Sequence, residues 1–409
     1  MKTRNRLIVA ALLCLTGLSA KAQRLTLDSV LAHVSANPAL QAYDAKTHAQ
    51  DAYVAGAKSL DAPKISAGQY QTPYQLNPNT GAFMVQAEQM FANPAKLKAK
   101  QEYMEGQSKV TAEDKNYLKN QLIAQAKQYY YERVVLEKKL ALLQNTQGLL
   151  EYMLKDANIR LTYGKEKLPN IYKAKAELFE LDNTREQINN EINQKNIMLN
   201  TLMNRDKQTT FTVDTILIVK DYETVIIDTA SLAGNRSDVK QISRSIDLQQ
   251  LNAEVEYSKR KPDFGLQAGH MFSYGGNANQ YILMASVTIP IVPWASKEYK
   301  ANLKGIHYEV EELQQKRLDV LNQAAGQLAG LKADMNSKKR QIFNYQQNII
   351  PALQNGYKTA LLAYDQNTGD LPSVLNGIRD LQTARIGALD RLQEVLTLQV
   401  AYEKENERN

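Results

Sequence analysis

Apolar residues recur at every seventh position over two stretches of this chain, and the two stretches lie 199 residues apart. The first is Leu122, Tyr129, Leu136, Leu143, Leu150; the second is Leu321, Leu328, Met335, Ile342, Ile349. Seven-residue spacing keeps side chains on one seam of a gently supercoiled helix. Leu140 and Leu154 add a second row to the first seam. The shared offset makes the chain a tandem duplication of a unit built on long, coiled-coil-like helices.

Other landmarks keep the same offset. Residues from Leu25 to about Leu60 read as a helix with Asn37-Pro38 near its beginning, and Arg236-Ser237-Asp238-Val239 opens its counterpart. Proline is tolerated only in a first turn, which places these motifs near helix starts. Pro63 and Pro262 each open a stretch without heptads. Turn-prone runs follow at 77–81 and 275–279. Then come period-two strands: Phe83, Val85, Ala87 and Phe91 against Gln86 and Glu88, and Leu283, Ala285, Val287 and Ile289 against Met284, Ser286 and Thr288. Each half thus holds a β-hairpin, over 63–92 and 262–291. Tyr70, Tyr74, Phe91, Tyr274 and Trp294 lie near the strand ends, where aromatic girdles sit in outer-membrane barrels.

Pro94 and Pro293 close the hairpins. Long helices are expected over 95–161 and 296–364, each roughly 100 Å at 1.5 Å per residue, with a kink at Pro351 in the second. Shorter helices return over 169–204 and 371–403. At these corners the offset becomes 203, so four extra residues of the second half fall between Ile349 and Tyr364. Residues 209–219 read as a short strand, and linker continues to Gly234. The organisation is therefore a first repeat over 23–208, a strand and linker over 209–234, and a second repeat over 235–409.

Residues 1–22 read as a secretory signal. Lys2, Arg4 and Arg6 precede an apolar run too short to span a bilayer, and Ala20-Lys21-Ala22 supplies small residues for cleavage. Cys14, the only cysteine, lies inside it, so the remainder has no disulfide, thiolate nucleophile or cysteine metal site. Removing the signal leaves 46 basic against 43 acidic residues, a net +3 and no footprint for nucleic acid. His33, His48, His270 and His307 are scattered without metal-ligand spacing. Neither a phosphate loop nor a nucleophile motif is present. The expectation is no enzyme, no cofactor and no metal.

Four amphipathic strands cannot close a membrane barrel, whose smallest form has about eight. An open edge in lipid leaves backbone groups unpaired at several kcal/mol each. Membrane strands would therefore require the chain to oligomerise.

Taken in order, the duplication, the helix openings at Asn37-Pro38 and Arg236-Ser237-Asp238, the paired hairpins and the two corners resemble the TolC family of outer-membrane efflux proteins. The resemblance covers essentially the whole chain after residue 22. Family corners look like an aromatic or apolar residue, glycine three later, then apolar positions at plus seven, ten and eleven. Leu161, Gly164, Leu168, Ile171 and Tyr172 follow this, as do Tyr364, Asn367, Leu371, Val374 and Leu375. Asn367 stands in for glycine, and asparagine tolerates the left-handed turn better than other residues.

The resemblance implies a mostly α fold and a homotrimer, with a twelve-stranded outer-membrane β-barrel continued by a periplasmic α-barrel. Its role would be the passive exit duct of a tripartite efflux system, working with a periplasmic adaptor and a proton-driven or ATP-driven inner-membrane pump. The duct of a type I protein secretion system is an alternative; a secreted coiled-coil scaffold is a third. Leu161, Gly164, Leu168, Tyr364, Asn367 and Leu371 are the candidates for adaptor docking. Asn170, Lys173, Ser373, Asn376, Asp365 and Asp370 are the aperture candidates. Some relatives have acidic rings at the first four of these positions, which puts a strongly acidic aperture in doubt here. Asp370 has capping of the return helix as a competing role, and Lys165-Glu166-Lys167 read as a solvated tip.

Overall fold

The computed structural model describes residues 23–74, 79–290 and 292–407. The signal read in residues 1–22, Cys14, and Asn77-Pro78 of the first turn lie outside these. The first half runs β1 (Gln23–Leu25), α1 (Leu27–Val34), α2 (Pro38–Ala55), β2 (Lys64–Tyr70), β3 (Ala82–Phe91), α3 (Pro94–Thr162), α4 (Leu168–Leu202) and β4 (Phe211–Val213). The second runs α5 (Thr229–Asn235), α6 (Ser237–Ser258), β5 (Asp263–Ser273), β6 (Gln280–Thr288), α7 (Pro293–Asn344), a π-helical turn (Tyr345–Ile349), α8 (Ile350–Asp365) and α9 (Leu371–Asn406).

Two compact units divide the chain, and each draws on both repeats. One comprises Met1–Pro38, Lys119–Ile226 and Gln327–Glu405; the other comprises Ala39–Leu118, Ile227–Gly326 and Asn406–Asn409. The first heptad seam and the two return helices form the larger core cluster of the first unit. Leu136, Leu143 and Leu150 of α3 pack with Ile171, Ala174, Leu181 and Ile188 of α4, and with Leu371, Val374, Leu375 and Ile378 of α9. Burial of each such leucine contributes about 1.5–3 kcal/mol.

A second cluster in this unit joins sequence-distant pieces. Leu25, Val30 and Val34 meet Ala126, Tyr130 and Val134 of α3, Leu199 of α4, and Phe211 and Val213 of β4. The expected helix over 25–60 is in fact a strand and two helices. Residues 23–25 pair in parallel with Phe211–Val213. Thr26 caps α1, its hydroxyl accepting from the Ser29 N–H at 3.3 Å. Pro38 starts α2 because it has no N–H to donate and its ring would clash inside a helix. The strand expected over 209–219 stops at Val213. There the Asp214 N–H donates to the Tyr130 hydroxyl at 3.1 Å instead of extending the ladder. The Tyr130 hydroxyl itself donates to the Leu25 carbonyl at 3.1 Å. Arg133, buried beside them, donates to the Phe211 carbonyl at 2.6 Å and lies over the Phe211 ring at 4.3 Å. Burial lowers its pKa, opposed by Glu137.

The second long helix is also interrupted. Over Tyr345–Ile349 the hydrogen bonds widen, the Ile350 N–H donating to the Tyr345 carbonyl five residues back. Pro351 explains it, since its ring crowds the carbonyl four residues back and a wider turn relieves that contact. The break thus starts ahead of Ile349. Within the linker, α5 forms where only linker was expected, because Asp228 accepts from the N–H groups of Ala230 and Ser231.

In the second unit the two hairpins join into one antiparallel sheet of order β2-β3-β5-β6. Phe91 sits opposite Phe264, Phe83 opposite Phe272, Lys64 opposite Glu88 and Asp263 opposite Thr288. Asn93 and Lys96 anchor the start of α3 to Asp263, at 3.0 Å and 2.6 Å.

Candidate functional site

Both corners between a long helix and its return are built by the same backbone device. At the end of α3, Gly164 takes φ +69°. Its N–H donates to the Leu161 carbonyl at 3.0 Å, and the Lys165 N–H to the Arg160 carbonyl at 2.9 Å. At the end of α8, Asn367 takes φ +57°. Its N–H reaches the Tyr364 carbonyl at 3.0 Å, and the Thr368 N–H reaches the Ala363 carbonyl at 2.9 Å. This pair of bonds closes a helix on a left-handed residue. Asn367 therefore does at the second corner what Gly164 does at the first. Asp370 caps α9, its carboxylate accepting from the Ser373 N–H at 3.0 Å. The hydrogen bonds from Ser373 hold its pKa down.

The two corners are tied to each other. Arg160 donates to the Tyr364 carbonyl at 2.9 Å, to Asn367 Oδ1 at 3.1 Å and to Asp365 Oδ1 at 3.3 Å. It is oriented by Asp156 at 2.7 Å, and its guanidinium lies over the Tyr364 ring at 4.2 Å. From the same corner as Arg160, Glu166 accepts the Tyr364 hydroxyl of the second corner at 3.1 Å, and also the Asn170 amide at 2.7 Å and the Lys167 N–H at 2.7 Å. Burial raises the Tyr364 pKa and the adjacent Glu166 carboxylate raises it further. Arg160, Glu166, Lys167, Asn170, Tyr364 and Asn367 line a polar cleft of about 350 Å³.

Placement of the sequence-derived candidates follows from this. Tyr364 is 3% exposed and Leu371 0%, so both are inside the tip. Leu168 is 49% exposed; Gly164 and Asn367 are exposed, and Leu161 is half-buried. Among the aperture candidates, Asp365 is tied to Arg160 and Asn170 to Glu166. Lys173, Ser373 and Asn376 are exposed, and Asn376 accepts from Arg379 at 2.6 Å. Glu166 is not part of a merely solvated tip, since it bridges the corners. Arg160 was absent from the candidates; a cation in the last turn of a helix was its signal.

The sheet is the other feature. Residues directly opposite in an antiparallel ladder share a face. On one face the register aligns Phe83, Val85, Ala87 and Phe91 with Phe264, Leu266, Ala268 and Phe272, then with Leu283, Ala285 and Val287. Its large members are exposed, Leu283 at 67% and Ile65 at 73%. Gln69, Gln89 and His270 interrupt it, His270 standing edge-on to Phe272 at 4.6 Å. The other face carries Lys64, Ser66, Gln86, Glu88, Gln267 and Ser286. Tyr70 lies on this second face, not in a girdle with the apolar one. Outer strands β2 and β6 each leave one edge unpaired within the chain. No described helix is long and apolar enough to cross a membrane.

No protein-family model matches the sequence, and no curated protein does. Solved structures do match. CusC, described in terms of folding and transmembrane channel formation, superposes with a TM-score of 0.76 at 15% identity, over 96% of this chain and 96% of its own. The outer membrane protein VceC of Vibrio cholerae gives 0.73 at 14% identity, over 93% and 96%. The open MtrE outer membrane channel of Neisseria gonorrhoeae gives 0.70 at 14%, over 93% and 88%. This chain has the fold of outer-membrane channel proteins. Its long helices and few strands are the mostly α fold that the TolC-family resemblance implied.

Proposed function

We propose that the chain is one third of an outer-membrane exit duct, a TolC-family homotrimer that passively conducts substrates delivered by a periplasmic adaptor and an inner-membrane pump. The observation that carries this reading is the four-stranded sheet with one exposed apolar face and two unpaired edges. Between the rows at Phe264 and Phe272 the strand covers about 27 Å, or about 20 Å of depth at a 40° tilt. That is close to the roughly 25 Å apolar band of outer-membrane barrels. Pairing β2 of one copy with β6 of the next would close twelve strands and leave no edge in lipid. The long helices of three copies would then line a periplasmic tunnel, with residues 1–22 directing export. The corners would form its inner end, and opening would be a rearrangement of the corners driven by partner binding.

The test is the mass of the detergent-purified protein together with its single-channel conductance in planar bilayers. Three copies per particle and discrete conductance steps are expected. A water-soluble monomer without conductance overturns the reading.

A further inference from the structure

Charge is distributed very unevenly about the sheet of the second unit. Residues 65–87 and 264–296 contain no Asp, Glu, Lys or Arg. These two runs hold nearly all of the strands and both hairpin turns. At the other end of the sheet, where β2 and β5 begin and β3 and β6 finish, the flanking segments are basic. Across 58–64, 96–100, 259–263 and 294–300, nine exposed basic residues meet two exposed acidic ones, Asp61 and Glu298.

Three of these nine face a nearby acid, Lys98 pairing with Glu102 at 3.7 Å, Lys64 standing opposite Glu88 and Lys259 pairing with Glu256, which leaves six basic residues against Asp61 and Glu298. Asp263 is paired with Lys96 at 2.6 Å. Glu256 receives Lys259 at 2.7 Å and the Asn302 amide at 2.9 Å. The surplus is therefore positive, and it is centred on Lys259-Arg260-Lys261 immediately before β5 and on Lys297 and Lys300 after β6. Aromatic groups accompany it. Trp294 is 78% exposed, and Arg260 lies over the Tyr257 ring at 3.7 Å.

We propose that this basic collar, set at the strand ends below the apolar band, binds the phosphate headgroups of anionic phospholipids in the periplasmic leaflet. The proposal rests on the reading of the sheet as membrane wall. Tryptophan and tyrosine sit at the headgroup level of a bilayer, and lysine or arginine beside them reaches phosphate with the stem still in apolar surroundings. Each such cation near an anionic surface favours binding, and several act together. At the opposite end, the uncharged turns offer an anionic headgroup no comparable attraction. The collar therefore gives the wall a preferred leaflet, in addition to the apolar band that any barrel of this kind needs.

The full chain in detergent, examined by native mass spectrometry with added phosphatidylglycerol or phosphatidylcholine, tests it. Bound phosphatidylglycerol is expected to exceed phosphatidylcholine by roughly tenfold or more at low salt and to fall as salt rises. The K259Q/R260Q/K261Q variant should lose most of that preference, and K259R/K261R should keep it. Equal retention of the two lipids, or a preference untouched by K259Q/R260Q/K261Q, overturns the collar. Insertion into neutral phosphatidylcholine vesicles is scored alongside. Insertion without lipid preference sinks the collar alone, whereas failure to insert into any vesicle sinks the membrane reading beneath it.

Discussion

Single residues set the corners. Asn367 at φ +57° occupies a conformation that costs an alanine about 1–2 kcal/mol, whereas glycine adopts it freely. Asn367→Ala should lower stability by about that much in urea unfolding. Asn367→Gly should cost less, losing only the bond from Arg160. Glu403 is a second such residue. Burial would raise its pKa, but hydrogen bonds from Lys127, Lys220 and the Tyr222 hydroxyl bring it down to about 2. A depressed folded pKa stabilises the fold above the ordinary carboxylate range, and that stability is lost as pH falls through the folded value. Melting temperature should therefore drop between about pH 4.5 and pH 2, and Glu403→Gln should flatten this part of the profile. None of the Glu403 partners was legible in sequence, because Lys220 and Tyr222 come from the linker and meet α9 only in the folded chain.

Elements repeat the lesson at a larger scale. The heptad seams were legible because a fixed period marks a helix face whatever the helix packs against. Leu143 and Leu328 are buried as that period requires, and Leu143→Ala should cost about 2–5 kcal/mol. The hairpins were legible for the same reason, with period two in place of seven. Parallel pairing of β1 with β4 was not, since three residues carry no period and their partner lies far along the chain. The tie between corners escaped too: Arg160 and Glu166 each look solvated until the second corner is brought against them. Arg160→Ala removes three hydrogen bonds to the other corner. It should speed amide exchange over residues 363–369 and raise single-channel conductance, while Leu143→Ala should affect stability more than conductance.

The whole molecule returns to its open edges. Strands β2 and β6 are separated by β3 and β5, about 14 Å at 4.8 Å per strand. A disulfide requires Cα atoms within about 7 Å, so cysteines on β2 and β6 cannot join within one chain. Residues 23–409 contain no cysteine, so a chain without residues 1–22 offers a background free of thiols. Pairs drawn from Ser66 or Gly68 on β2 and Ile282, Met284 or Ser286 on β6 should give covalent dimers and trimers on non-reducing gels for at least one register. Failure of every pair to cross-link argues against the closed ring. Trimer formation itself entered through resemblance, since a lone sequence shows that edges exist without showing how many copies seal them.

Arg24 and Asp214 meet across 190 residues, beside the ladder that joins β1 to β4. The earliest-made part of that ladder must therefore wait for its partner until the whole of the first repeat has emerged from the ribosome. During that interval Leu25, Val30 and Val34 have no permanent home, and contacts so distant in sequence form slowly. A holding factor that shields this leading segment would shorten the time in which newly made chains can clump.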